Sequence, residues 1–275
     1  MSRTMAAVME ATVEALNALQ PSRQQGKSRA ELMQRLERRG AIDVPTPRGP
    51  LKFLTSRGRH AIGMAERMLT DEPETIAWIE AHVQAGDVVW DVGAAIGAYA
   101  MYAARGGARV VAFEPKATSY GLLNEHLFLN TLGDAVAAYN ISLSDHTGAT
   151  RLDLSEIAPA GAMNALAGAE TQFGDRPNAF SQAVVAYRMD DAIAMLGLPA
   201  PTHLKLDVDG VEGLILAGGP TALKGLKSAI VEVEGRNAEH AQTRIEAPMT
   251  AAGLVEEIAF RDRGSKRNRL FVRRG

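Results

Sequence analysis

From Asp87 onward, short apolar runs alternate with segments of helical character, and this alternation restricts the chain more than any other feature. DVVWDV precedes GAYAMYAARGG, ARVVAFE precedes KATSYGLLNEHLFLNTLG, and THLKLDV precedes GVEGLILAGGPTALKG. AVAAYNISL and SAIVEVE are two further runs of the same kind. Each run is too short for a helix and is bounded by glycine or charge, as a strand buried on both faces would be. Strand–helix alternation requires βαβ units, hence a parallel sheet with helices on both faces. The closing segments LVEEIAFRDR and NRLFVRR, joined by a tight GSK turn, add an antiparallel hairpin. The expected fold class is α/β, with a seven-stranded, mostly parallel sheet.

The pattern pauses once. SDHTGATRLDLS reads as a turn at His146–Gly148 and a strand; residues 156–182, rich in Ala and Gly, read as a loop or lid; VVAYR and a short helix DDAIAML follow. RNAEHAQTRIEAPMTAAG is mostly helical in character. Upstream, residues 1–40 are helical in pattern, broken by PSRQQGKS, and Pro45, Pro47, Gly49 and Pro50 mark a boundary loop before a short strand in LKFLTS. TDEPETIAWIEAHVQAG offers Thr70 or Asp71 as helix N-cap, Pro73 in the first turn and Gly86 as a stop. Gly133 is a C-terminal stop for the helix after the second strand. The expected division is an N-terminal helical extension with a short strand at 1–69 and the ligand-binding domain at 70–275. Met5, Met9, Val13, Leu16 and Leu19 recur at helical spacing, so the first helix packs on its own domain or on a second subunit as a homodimer contact. Its polar face lacks the Lys and Arg of a membrane-surface helix.

Composition narrows the function. A net charge of −2 does not suit a chain that holds nucleic acid by charge, and no run approaches the span of about 20 apolar residues that crosses a bilayer. The absence of cysteine excludes disulfides, thiolate metal sites and a Cys nucleophile, and fits a cytoplasmic location. No histidine pair has ligand spacing, and no required metal is expected; His146 and His240 read as exposed loop residues.

The stretch WDVGAAIGAY carries the first chemistry. Asp91 stands at a strand end, where open parallel sheets bind ligands. Gly93 and Gly97 let the backbone pass close to a ligand where a Cβ would collide, and the following helix directs free N–H groups at the pocket. The spacing is G-x-x-x-G, not the G-x-G-x-x-G of a dinucleotide fold, and the acid before it repels phosphate but suits a cationic centre. Glu114 ends the second strand, placed to accept both hydroxyls of a ribose. Acid, glycine loop and ribose acid without a phosphate cradle point to S-adenosylmethionine; NAD, with an oxidoreductase activity, is the weaker alternative. In KLDVDGVEGLILAGG, Lys205 and Asp207 share one face of a strand by the period of two, beside Asp209 and Glu212. N-capping accounts for Asp209 but not for Lys205 and Asp207.

Together these stretches resemble the FkbM family of S-adenosylmethionine-dependent methyltransferases, which carry D-V-G-A-N-x-G, E-P, S-D-x-x-G and K-x-D-x-E-G-x-E in this order. The matching positions are Asp91-Val92-Gly93-Ala94-Ala95-Ile96-Gly97, Glu114-Pro115, Ser144-Asp145 with Gly148, and Lys205-x-Asp207-x-Asp209-Gly210-x-Glu212. Ala95 stands where the family has Asn, and Asp209 where it has Glu. The resemblance covers about residues 70–275 and implies a class I methyltransferase with cofactor contacts at Asp91, Gly93, Ala94, Ile96, Gly97, Glu114, Pro115 and Asp207. Ser142, closing the third strand, is a candidate for the adenine edge. The resemblance also implies O-methylation of a hydroxyl on a sugar, glycan, glycolipid or natural product. Such a hydroxyl must lose a proton, so a positioned base is needed. Asp207 is the first candidate, because its strand end should adjoin the methyl site and like-charged neighbours could raise its pKa; its rival role is to hold the methionine part of the cofactor. Glu212 and Glu234 follow, with Lys205 orienting the acids or steadying the alkoxide. The alternative to an enzyme is a cofactor-binding scaffold that has lost catalysis. The basic C-terminal RDRGSKRNRLFVRRG is either a solvated hairpin or a clamp for a phosphorylated or carrier-linked acceptor. Calorimetric titration with S-adenosylhomocysteine is expected to show saturable binding where NAD shows none; the reverse pattern would replace the cofactor.

Overall fold

The computed structural model describes residues 3–161, 164–166, 179–233 and 235–274. The chain opens with helices α1 (Arg3–Ala18) and α2 (Ser22–Arg39), the antiparallel hairpin β1 (Ala41–Val44) and β2 (Leu51–Leu54), and helices α3 (Arg59–Arg67) and α4 (Pro73–His82). The main sheet takes β3 (Val88–Val92), β4 (Arg109–Phe113) and β5 (Val136–Tyr139), with α5 (Ala98–Arg105) and α6 (Ala117–Asn130) between them. A second sheet follows, built from β6 (Ser142–Leu143), β7 (Gly148–Leu154), β8 (Ala165–Leu166) and β9 (Phe180–Tyr187). After α7 (Met189–Leu196) the chain returns to the main sheet with β10 (His203–Leu206), α8 (Glu212–Ala217), β11 (Ser228–Glu232), α9 (Gly235–Ala241), α10 (Ala247–Ala251), β12 (Leu254–Glu256) and β13 (Asn268–Arg273).

The main sheet has seven strands in the order β12-β13-β11-β10-β3-β4-β5; only the contacts of β13 are antiparallel. The chain leaves β3 toward one edge, then restarts at β10 on its other side. The β3–β10 boundary is therefore the switch point where such sheets open a ligand crevice. Helices cover both faces, which is why these strands read as almost unbroken apolar runs.

Several local expectations change. The third apolar run divides between two sheets, because Asn140 turns the chain by donating to the Glu114 and Pro115 carbonyls at 2.8 and 2.9 Å. The Ala- and Gly-rich segment contributes β8 and the start of β9; its residues 162–163 and 167–178 lie outside the described residues. β12 stops at Glu256, where buried Phe260 draws the chain into a 3₁₀ turn, so no tight GSK turn joins the last two strands. The N-cap position of α4 falls on Glu72, since Asp71 is engaged by Arg67 at 2.9 Å. The left-handed residue ending α6 is Thr131, ahead of Gly133.

The proline-rich boundary loop is the turn of the β1–β2 hairpin. Val44, Leu51, Phe53, Ala61, Ala65 and Met68 are buried in the same core as α4 and α5. Asn130 of α6 imitates a neighbouring strand for Lys52, accepting its N–H at 2.9 Å and donating to its carbonyl at 2.8 Å. His126 adds a second tie. Its Nε2 accepts the Leu54 N–H at 3.1 Å, so its Nδ1 is the protonated nitrogen and donates to the Ile96 carbonyl at 2.9 Å. At the other end of the sheet, buried His203 bridges Asp87 at 3.1 Å and Ser228 at 2.8 Å.

Burial lowers the pKa of both His126 and His203. Above the usual histidine pKa near 6.5 both states are neutral; below it, the unfolded chain takes up protons that the folded chain resists. Stability should therefore fall as pH drops from 6.5 toward the depressed folded values, by up to about 1.4 kcal/mol per pH unit for each histidine. Denaturant unfolding at pH 7.5, 6.0 and 5.0 checks this; equal stability at all three would contradict it.

Candidate active site

At the switch point the register sets Lys205 of β10 directly beside Asp91 of β3. Lys205 Nζ lies 2.8 Å from Asp207 Oδ2 and 3.7 Å from Asp91 Oδ1, and sits 5.2 Å from the centre of the Tyr99 ring. Burial opposes the Lys205 charge, yet Asp207, Asp91 and Glu72 push its ammonium above the ordinary lysine range. In return, and against its own burial, Lys205 holds the Asp207 carboxyl below the ordinary range. Asp207 is thus ionised at neutral pH, and its pKa is not raised as the crowding of acids suggested. Asp91 differs: burial raises its pKa, and neither of its carboxylate oxygens has a hydrogen-bond partner among the described residues.

The network reaches further than the sequence motifs. Glu72, just before α4, accepts from Arg267 at 3.0 Å; burial, then the Asp207 charge, raises its pKa. Arg267 also pairs with Glu232 at 3.1 Å. Glu234 lies outside the described residues.

The loop after β3 is shaped by backbone approach. Gly93 has φ +83°, and a Cβ there would stand 1.9 Å from the Asp207 carbonyl oxygen. Gly97, also at φ +83°, faces the Leu123 side chain, which an added Cβ would meet at 2.6 Å. Both glycines thus make room for the protein's own packing, where the sequence predicts room for a ligand. Gly93 and Ala94 donate their N–H groups to the Phe113 carbonyl at 3.0 and 3.1 Å, folding the loop over the end of β4. Glu114 accepts the N–H groups of Ala95 and Lys116, each at 2.8 Å, while burial pushes its carboxyl up to about 7.

A cavity opens beside this loop. Gly93, Glu114, Pro115, Ser142 and Asp207 line it, five of the expected cofactor positions, together with Ala95; Asp91 and Gly97 are not on its wall. Ala94 and Ile96 instead bury their side chains in the core. Glu212 is fully buried and accepts the Val208 N–H at 3.2 Å, steadying the loop that carries Asp207. Asp209 does not cap α8, whose N-cap position is Val211; its carboxylate accepts the Asn164 N–H at 2.7 Å. Lys116 and Asn164 also line the cavity and carry no motif; the only sequence signal for Lys116 was its place two residues after Glu114. His146 is exposed and pairs with its neighbour Asp145 at 3.1 Å, and His240 is exposed.

Much of the basic C-terminal segment is used internally. Arg261 binds Glu256 and Glu246, Arg269 binds Glu246, and Arg273 donates to the Leu226, Lys224 and Ala252 carbonyls at 2.8, 2.8 and 2.9 Å. Those arginines are not presented as an anion clamp.

The seven-stranded sheet with its antiparallel β13 has the form expected of a class I methyltransferase. Residues 91–261 match the Methyltransferase FkbM domain, and the chain belongs to that family, whose cofactor is S-adenosylmethionine. The chain is similar to the hexuronic acid methyltransferase AglP of Haloferax volcanii, with 27% identity over 167 residues, covering 61% of this chain and 64% of that protein. It therefore spans less than two thirds of that relative's length. Among solved structures, precorrin-6y C5,15-methyltransferase from Geobacter metallireducens matches with TM-score 0.41 at 13% identity, covering 68% of this chain and 73% of that one. P. horikoshii TYW2 in complex with MeSAdo matches with TM-score 0.43 at 10% identity, covering 84% and 70%.

Ala95 occupies the left-handed region at φ +49°, where a Cβ is strained and Asn is tolerated. Ala95→Asn is expected to raise unfolding stability by about 0.5–1 kcal/mol. Denaturant unfolding reads this directly, and a destabilised variant would contradict it.

Proposed function

We propose that the chain transfers a methyl group to a hydroxyl of a sugar or glycan acceptor. The observation that carries this reading is the ionised Asp207 carboxylate on the cavity wall, fixed by Lys205. The sugar class is supported by the likeness to a protein named as a hexuronic acid methyltransferase.

S-adenosylmethionine, when bound, supplies a methyl group on a cationic sulfur. The residues present suit such a group. The ionised Asp207 carboxylate on the cavity wall favours a positive charge nearby, and Glu114 on the same wall provides acceptor oxygens for hydroxyls. In this reading Asp207 orients the acceptor hydroxyl and takes its proton as the new oxygen–carbon bond forms. Lys205 is too deeply buried to reach an acceptor and acts as a positioning residue, keeping Asp207 ionised and in place. Glu212 positions the same loop. Much of the acceleration then comes from alignment and exclusion of water.

The reading extends to assembly. Val8, Leu16 and Leu19 leave much of their apolar surface exposed on the first helix and the residue after it, and a second subunit is the proposed cover. Light scattering on the chain with and without residues 1–40 tests that part: loss of a dimer on truncation supports it, and a monomeric full chain contradicts it.

Incubation with S-adenosylmethionine and a panel of uronic acid glycosides, neutral glycosides and amines is expected to yield a methylated sugar with S-adenosylhomocysteine. Resistance of the product to mild alkali distinguishes an ether from a methyl ester. Asp207→Asn should lower turnover by about 10²–10⁴-fold with S-adenosylhomocysteine binding retained. Unchanged turnover would remove Asp207 from the mechanism.

A further inference from the structure

Asn164 and Lys116 meet at one backbone oxygen. Asn164 Nδ2 donates to the Gly161 carbonyl at 2.9 Å, and Lys116 Nζ donates to the same carbonyl at 3.4 Å. A carbonyl only accepts, so the first bond fixes the amide's orientation: Nδ2 faces Gly161 and Oδ1 is turned away from it. Oδ1 is buried and has no hydrogen-bond partner among the described residues. Lys116 is 1% exposed; its ammonium has three donors, and 3.4 Å is long for a hydrogen bond. Both residues line the cavity. An acceptor without a donor among the described residues, beside a buried ammonium that feels the Glu156, Glu114 and Asp209 charges but has one long hydrogen bond there, leaves capacity that a ligand can fill.

Their surroundings say which part of a ligand that is. β8 pairs Leu166 with Leu152; both leucines line the cavity, as do Asn164 and, at the α8 end, Val211 and Ile215. The site therefore joins apolar walls to one edge that carries an acceptor next to a donor. That is the complement of a flat heterocycle whose exocyclic amine neighbours an unprotonated ring nitrogen. Asp209 holds the edge in place through the Asn164 N–H.

We infer that Asn164 and Lys116 read the adenine edge of the cofactor, Asn164 Oδ1 accepting from the 6-amino group and Lys116 donating to ring nitrogen N1. This rests on the cofactor site described above and adds its base selectivity. An inosine base reverses both features, placing a carbonyl against Oδ1 and a ring N–H against the ammonium.

Calorimetric titration of the full chain with S-adenosylhomocysteine and with S-inosylhomocysteine tests it. The adenosyl compound should bind at least about tenfold more tightly. Asn164→Leu should weaken adenosyl binding by about tenfold and narrow the difference between the two. Equal binding of both compounds by the unaltered chain would overturn the inference while leaving the cofactor site intact. So would an Asn164→Leu variant that keeps the full preference. Binding of neither compound would overturn the cofactor site and the edge together. The comparison on the unaltered chain does not depend on whether a variant folds.

Discussion

One buried ammonium holds the site together. Lys205 stands at the boundary where the sheet reverses its direction of growth, opposite Asp91 on the neighbouring strand and bonded to Asp207 just past the end of its own. Asp91 is buried and Asp207 lies on the cavity wall, and both bear on Lys205; without that cation their charges would oppose each other. With the cation in place, Asp207 keeps its charge and Asp91 is left with unfilled acceptor capacity. The same arrangement explains the glycine at 93. The Asp207 carbonyl passes so near to that backbone that a side chain would collide with it. Charge pairing and backbone fit therefore fix the same few atoms.

The loop after β3 is then anchored from several directions. The Phe113 carbonyl holds its start, Glu114 takes the Ala95 N–H, and His126 takes the Ile96 carbonyl. Glu114 also holds the Lys116 N–H, so one carboxylate ties together the loops after β3 and β4. His126 carries the connection outward to β2. The N-terminal hairpin thus supports the loop after β3 through the His126 imidazole, although the two are far apart in sequence. On the other side, Asp209 and the Gly161 carbonyl bring Asn164 to the cavity wall. Residues outside the main sheet finish a pocket that the sheet begins.

What was legible in the sequence follows from what period and spacing encode. The buried strands announced themselves because both faces are covered, and the motif residues Asp91, Glu114, Lys205 and Asp207 announced themselves as charges at the ends of apolar runs. Their clustering could be anticipated because a parallel sheet brings strand ends together. The second sheet was less visible, since β6 and β8 are only two residues long and leave no periodicity to detect. Glu72 was hidden because an acid beside a helix start has an ordinary local explanation. Asn164 and Lys116 were hidden because their role depends on a shared carbonyl, which no spacing rule reveals. The pKa of Asp207 was misjudged for a similar reason. The count of nearby acids is visible in sequence, whereas the 2.8 Å contact with Lys205 that outweighs them is not.

Denaturant unfolding of Lys205→Met, alone and combined with Asp207→Asn, tests the central claim most directly. If Lys205 neutralises carboxylates whose charges otherwise oppose each other, the single variant should lose about 3–5 kcal/mol of stability, and the double variant should recover part of that loss. A Lys205→Met chain as stable as the original, or a double variant no better than the single one, would contradict the account.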